Sequence, residues 1–208
     1  AKAHHRHARA AIDRRMVDRL SRGLTSGAER YLFVLGLHHD QQHQELFLMD
    51  LLNLFSRSPL DSAAFAVEPR EAPVDPSVGG VTRFNGGLVT IGHDGASFAF
   101  DNEGPAHQTF LRPFALANDL VTNGDWIRFI EDGGYSRPEF WLADGWATVK
   151  AEHWTAPLYW HAEKGGWSVF GLAGAAPVDL TAPVRHVSHY EADAYAHWAG
   201  KRLPTESA

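Results

Sequence analysis

A multidomain chain, α-helical first and irregular α+β afterwards, is the architecture the sequence predicts, and three observations predict it. Residues 3–56 contain no proline and carry apolar side chains at helical spacing. Residues 59–80 then turn to Pro, Ala, Asp and Glu, with prolines at 59, 69, 73 and 76, a composition that suits a linker. Beyond it the texture changes again, to many glycines, short elements and clustered tryptophan and tyrosine. The expected boundaries are therefore 1–58 for the helical part, 59–80 for the linker and 81–208 for the α+β domain.

Each element has a local reason. In residues 3–22, Ile12, Met16, Val17 and Leu20 recur at helical spacing among charges, and Gly23 closes the helix. Thr25, Ser26 and Gly27 make a turn. Residues 28–56 read as one long helix that ends before Ser58-Pro59. A short turn between two long helices implies antiparallel neighbours. Residues 86–92 and 107–117 read as strands. Thr122–Glu131 reads as a helix with Thr122 as N-cap and Gly133-Gly134 as its stop, and Pro138–Val149 as a further helix. Residues 154–171 read as strand and turn. Ser188-His189-Tyr190-Glu191 is a capping box that opens a helix ending at Gly200.

Composition excludes several functions. With 44% apolar and 21% charged residues the chain is of ordinary globular type. A formal charge of -6 does not suit nucleic acid as the main partner. The absence of cysteine removes disulfides, thiolate metal sites and thiol nucleophiles from these 208 residues. No apolar run is long enough for a membrane span and no signal peptide opens the sequence, so the cytoplasm is the default location. The start at Ala1 without Met and the stop after a loop signal lead us to expect an internal piece of a longer protein.

The sharpest chemical signal is His39-Asp40-Gln41-Gln42-His43. Histidines four apart lie on one helix face, one turn apart, so both imidazoles can reach one cation. At 100° per residue, Leu32, Leu35, His39, Gln42, His43, Leu46, Asp50 and Asn53 form a single stripe, which we expect to face into a bundle. Polar groups buried among leucines cost about 2–7 kcal/mol each without partners, and a metal with hydrogen-bonded neighbours removes that cost. The competing reading is an ordinary solvated pair. Asp40 lies off the stripe and is a poor ligand candidate. No Glu follows His39, so the His-Glu-x-x-His protease mechanism is not written here. Two neutral nitrogen ligands suit iron, zinc or nickel equally. His4, His5 and His7 form a second cluster, read as a solvated helix start. Asp101-Asn102-Glu103 reads as a turn bonded to its own backbone and not as a calcium site. The tryptophans at 126, 141, 146, 154, 160, 167 and 198 are too dispersed to form one cation cage, and most are expected in the core.

With those residues laid out, the chain resembles the hercynine oxygenases, the iron-dependent sulfoxide synthases of ergothioneine biosynthesis. GLHHDQQHQELFLMD (36–50) resembles that family's metal helix in a DinB-like bundle. The run 84–146, from FNGGLVTIGHDG to FWLADGW, resembles its formylglycine-generating-enzyme-like domain, of C-type-lectin-like fold. PVRHVSHYEADAYAHWAGKRLPTE (183–206) resembles that domain's recurrent helix; His189 departs from the aromatic residue usual there and is read as surface or packing variation. The resemblance implies that His39 and His43 are two of three iron ligands, with Fe(2+) as the cofactor, and that Gln42 holds the trimethylated histidine substrate, hercynine. It places the third histidine on an earlier helix, and the catalytic tyrosine beyond residue 208. The implied co-substrates are O2 and cysteine or γ-glutamylcysteine, with no nucleic-acid or membrane partner. Three alternatives stay open: a sibling synthase for ovothiol or selenoneine, formylglycine generation, and a non-catalytic lectin-like binding module.

Overall fold

The computed structural model describes residues 2–60, 63–66 and 79–208, with side chains from His7 onward. Much of the expected linker, including prolines 69, 73 and 76, and the side chains of His4 and His5 lie outside the described residues. The chain separates into two compact units: Ala1–Leu48 with Gly92–Ala106, and Met49–Ile91 with His107–Ala208.

In the first unit, α1 (Lys2–Ser21) stops where Gly23 takes a left-handed φ of 80° and donates its N–H to the Leu20 carbonyl at 3.0 Å. Ser26 caps α2 (Gly27–Ser56), its Oγ accepting the Glu29 N–H at 3.1 Å. The Glu29 carboxylate accepts from Arg19 through both oxygens at 2.5 Å and from the Thr25 N–H at 3.2 Å. The hydrogen bond from Arg19 is the main reason its carboxyl sits below the usual carboxylate range. Further along, Arg9 approaches Asp40 at 4.0 Å. These two ion pairs make α1 and α2 an antiparallel hairpin, as the short turn predicts. Asp101–Glu103 is a single 3-10 turn whose Glu103 Oε1 accepts the Phe100 N–H at 2.8 Å, as its composition predicts.

The second unit opens on an interrupted antiparallel ribbon. β1 (Val81–Phe84) pairs with β4 (Phe114–Ala117), and β2 (Gly87–Ile91) with β3 (His107–Leu111). Both ladders keep one register, from Val81 opposite Ala117 to Ile91 opposite His107. The single strand expected over 107–117 is therefore broken at Arg112-Pro113. Proline has no N–H to give a ladder. Opposite it, Gly86 has φ 70°, and a Cβ there would overlap the Leu111 carbonyl. A meander of β5 (Trp160–Glu163), β6 (Gly166–Gly171) and β7 (Gly174–Pro177) forms the other sheet.

Three helices carry the core. α3 (Asn123–Glu131) and α5 (His189–Trp198) have the expected capping boxes, Thr122 with Asp125 and Ser188 with Glu191. The helix expected over 138–149 is corrected to a 3-10 turn at Pro138–Phe140 followed by α4 (Ala143–Glu152). Trp141 and Leu142 between them are extended, because the Trp141 indole N–H is anchored on the Gly134 carbonyl at 2.8 Å. Trp126, Phe129, Tyr135, Trp141, Val149 and Ala194 form the buried cluster. Gly145 lies so close to Tyr190 that a Cβ would come within 2.7 Å of it.

One carboxylate is built into this core. Glu191 is 4% exposed, accepts the Tyr135 O–H at 2.6 Å and takes the Ser188 N–H at 2.7 Å. Burial, then the adjacent Glu191 charge, pushes the Tyr135 hydroxyl far above its ordinary pKa, so it stays a donor. Glu191→Leu strands both donors and is expected to cost about 3 kcal/mol, read from urea unfolding. Glu191→Gln, which keeps an acceptor for Tyr135, should recover about half of that. Equal losses in the two variants would show that the hydrogen bonds are not the source.

Candidate metal centre

α2 forms because 30 residues without proline supply leucine, glutamine, glutamate and alanine, all strong helix formers. It sets His39 and His43 one turn apart with ring centroids 4.5 Å apart and ring planes at 84°. Both rings are exposed, as is Gln42 on the same stripe. Their donor set fits a metal in part. Two imidazoles this close can face one cation at the usual metal–nitrogen distance of about 2 Å. Among the described residues, no group of three His, Cys, Asp or Glu could hold an ion.

Asp40 is engaged elsewhere, approached by Arg9 and accepting from the Gln44 amide at 3.2 Å. Its carboxylate is thus directed away from the histidine pair. His7 is exposed. The expectation that the stripe points into a bundle is not met among the described residues: Leu32 is 64% and Leu46 53% exposed. The reason lies in the hairpin. α1 meets α2 on its Asp40 side, about 100° from the stripe, and a two-helix hairpin buries one seam only.

A residue missed by the sequence reading is His38. Its ring stacks on Phe98 with centroids 4.5 Å apart and planes at 16°. The doubled histidine and the aromatic pair Phe98 and Phe100 were both visible in the sequence. No periodicity links segments so far apart.

The tryptophans divide as expected. Trp126 and Trp141 are buried, and Trp146, Trp154 and Trp198 pack against the same cluster. Trp154 and Trp160 also border a cleft of about 1010 Å³ in the second unit, with Tyr159, His153, His161 and His186. Burial, then nearby Arg185, holds the His186 imidazole below its ordinary pKa. His189, read as surface or packing variation, is exposed. Among the described residues, no helix is long and apolar enough to cross a membrane.

Comparison with known proteins gives this geometry a context. Residues 66–208 match the family model of the sulfatase-modifying factor enzyme 1-like domain. The chain is 38% identical to a hercynine oxygenase of Mycolicibacterium thermoresistibile over 95% of its own length and 43% of that protein's. It is 36% identical to the hercynine oxygenase of Mycobacterium tuberculosis over 88% of its own length and 42% of that protein's. The formylglycine-generating enzyme of Streptomyces coelicolor is 32% identical over 70% of this chain and 50% of that enzyme. The chain thus spans less than half the length of the two hercynine oxygenases.

Proposed function

The chain belongs, over residues 66–208, to the sulfatase-modifying factor enzyme 1-like domain family, and from that premise we propose that the full protein is an iron- and O2-dependent oxidoreductase joining hercynine to a cysteine-type thiol. One observation carries the reading. Similarity to a hercynine oxygenase covers 95% of the chain, so it runs well outside 66–208 and through the α2 stretch with His39, Gln42 and His43. In this reading residues 1–58 belong to a DinB-like metal-binding bundle, 59–80 are a linker, and 81–208 belong to the C-type-lectin-like domain.

The overall reaction balances without a further reductant. The thiol loses its S–H hydrogen and the imidazole ring a C–H hydrogen as the C–S bond forms. O2 accepts four electrons, placing one oxygen in the sulfoxide and the other in water. Iron, when bound, would supply the redox chemistry. His39 and His43 would hold it through their ring nitrogens, and a third protein ligand would complete the set. Gln42, one residue before His43 on the same stripe, offers an amide that both donates and accepts. That suits an imidazole substrate better than a metal, and it orients the ring beside the iron.

The test uses the full-length protein loaded with Fe(II), given hercynine, O2 and either cysteine or γ-glutamylcysteine, with mass spectrometry of the product. A sulfoxide from either thiol supports the reading and names the thiol. No coupling product, with conversion of a cysteine-containing peptide to formylglycine instead, supports the second reading, which the similarity to the Streptomyces enzyme favours. Gln42→Leu is expected to raise KM for hercynine by about tenfold, the worth of one hydrogen bond to a bound ligand, with iron content unchanged. Loss of iron at unchanged KM would make Gln42 a structural residue of the metal site.

A further inference from the structure

The segment Gly92–Ala106 leaves the ribbon between β2 and β3 and clusters with the two helices. It closes on itself. The His93 N–H donates to the Glu103 carbonyl at 2.8 Å, and the Ala106 N–H to the His93 carbonyl at 3.1 Å. Inside the loop, the Gly95 N–H donates to His93 Nδ1 and the Ala96 N–H to Asp94 Oδ1, each at 2.9 Å. A compact loop braced in this way holds its side chains on a firm base. Two of them meet α2. Phe98 stacks on His38 at 4.5 Å and reaches Tyr31 at 5.6 Å, and Phe100 meets His38 edge-on at 6.1 Å. Tyr31 and His38 are seven apart and share a helix face. His38 directly precedes His39.

We propose that Phe98 and His38 are positioning residues of the metal centre: the loop 92–106 clamps α2 through their stack and sets the direction in which His39 and His43 point. This rests on the reading that those two histidines hold iron. Among the described residues every residue from His39 to Asp50 is exposed whereas His38 is half-buried, so the stack on Phe98 is the aromatic packing that these residues supply beside the histidine pair. A helix with few buried contacts opens and twists readily, while a metal pair needs its ligands within about 0.5 Å of the productive geometry. Adjacent residues on a helix are fixed at about 100° to one another. Pinning the His38 ring therefore fixes the azimuth of His39, and of His43 one turn on.

The experiment measures Fe(II) affinity of the full-length protein by chelator competition without air, together with amide hydrogen exchange over residues 36–46. Phe98→Leu and His38→Ala are expected to lose about tenfold in affinity, the usual effect of removing a group that supports a ligand, and to exchange faster over 36–46. Phe98→Tyr and His38→Phe keep the stack and should stay within about twofold of wild type. His39→Ala serves as the reference. If it loses iron while Phe98→Leu and His38→Ala do not, the clamp is overturned and the metal reading stands. If His39→Ala also binds iron as wild type does, the metal reading fails and the clamp falls with it. If His38→Phe loses iron as completely as His39→Ala, His38 is itself a ligand and the proposal is overturned. Equal losses in Phe98→Tyr and Phe98→Leu would likewise overturn it.

Discussion

His39→Ala and His43→Ala, each made in the full-length protein, are expected to lower Fe(II) affinity by about a hundredfold or more and to bring turnover to background. Each change removes one of two imidazoles whose rings lie 4.5 Å apart, and no other histidine or carboxylate of the same stripe lies within one turn of them. The next acid on the stripe, Asp50, is about 10 Å further along the helix at 1.5 Å per residue. Asp40 is closer but faces Arg9 and Gln44. The fold should be untouched. Neither histidine supports packing among the described residues, where both are exposed, and alanine is the best helix former. Circular dichroism and thermal melting matching wild type would therefore tie the loss to ligation. Iron and activity surviving in both variants would remove the site from α2.

The second large effect is on stability. Phe129→Ala is expected to destabilise the protein by about 3–5 kcal/mol, a large share of the 5–15 kcal/mol typical of a whole domain. Phe129 is 0% exposed. Its ring meets Trp126 at 5.5 Å, Trp198 at 5.6 Å, and Tyr135 and Tyr195 at 5.7 Å. Beneath it Gly134 comes so close that a Cβ there would overlap the ring. Rigid aromatic neighbours cannot collapse into the space that alanine leaves, so the cavity penalty applies in full. Phe129→Leu, which keeps most of the volume, should cost about half as much. Gly134→Ala tests the same contact from the other side and should cost about 1–3 kcal/mol by overpacking. Urea midpoints report all three, provided the m-value stays constant. A Phe129→Ala loss below about 1 kcal/mol would mean that this cluster is not the core that holds the unit together.

Whatever rests on neighbouring residues is legible in the chain alone. Ser188 with Glu191 and Thr122 with Asp125 are capping boxes in the chain and in the fold alike, because a cap bonds residues three apart. Gly23 ends α1 and Gly133 follows α3 in left-handed conformations that glycine adopts without strain. The placing of His39, Gln42 and His43 on one stripe follows from helical period alone, and so does the exclusion of Asp40 from it. Whatever joins distant segments emerges with the folded chain. The break at Arg112-Pro113 is written in a proline, but its partner Gly86 and the shared register of the two ladders appear only once the strands meet. Trp141 interrupts a helical pattern because its indole finds the Gly134 carbonyl, a contact no local propensity encodes. Asp101-Asn102-Glu103 reads as a turn, yet the stack of Phe98 on His38 exists only because the loop 92–106 folds back on α2. Local signals are set by backbone sterics and hydrogen bonds over a few residues, whereas these contacts depend on which surfaces the whole chain brings together.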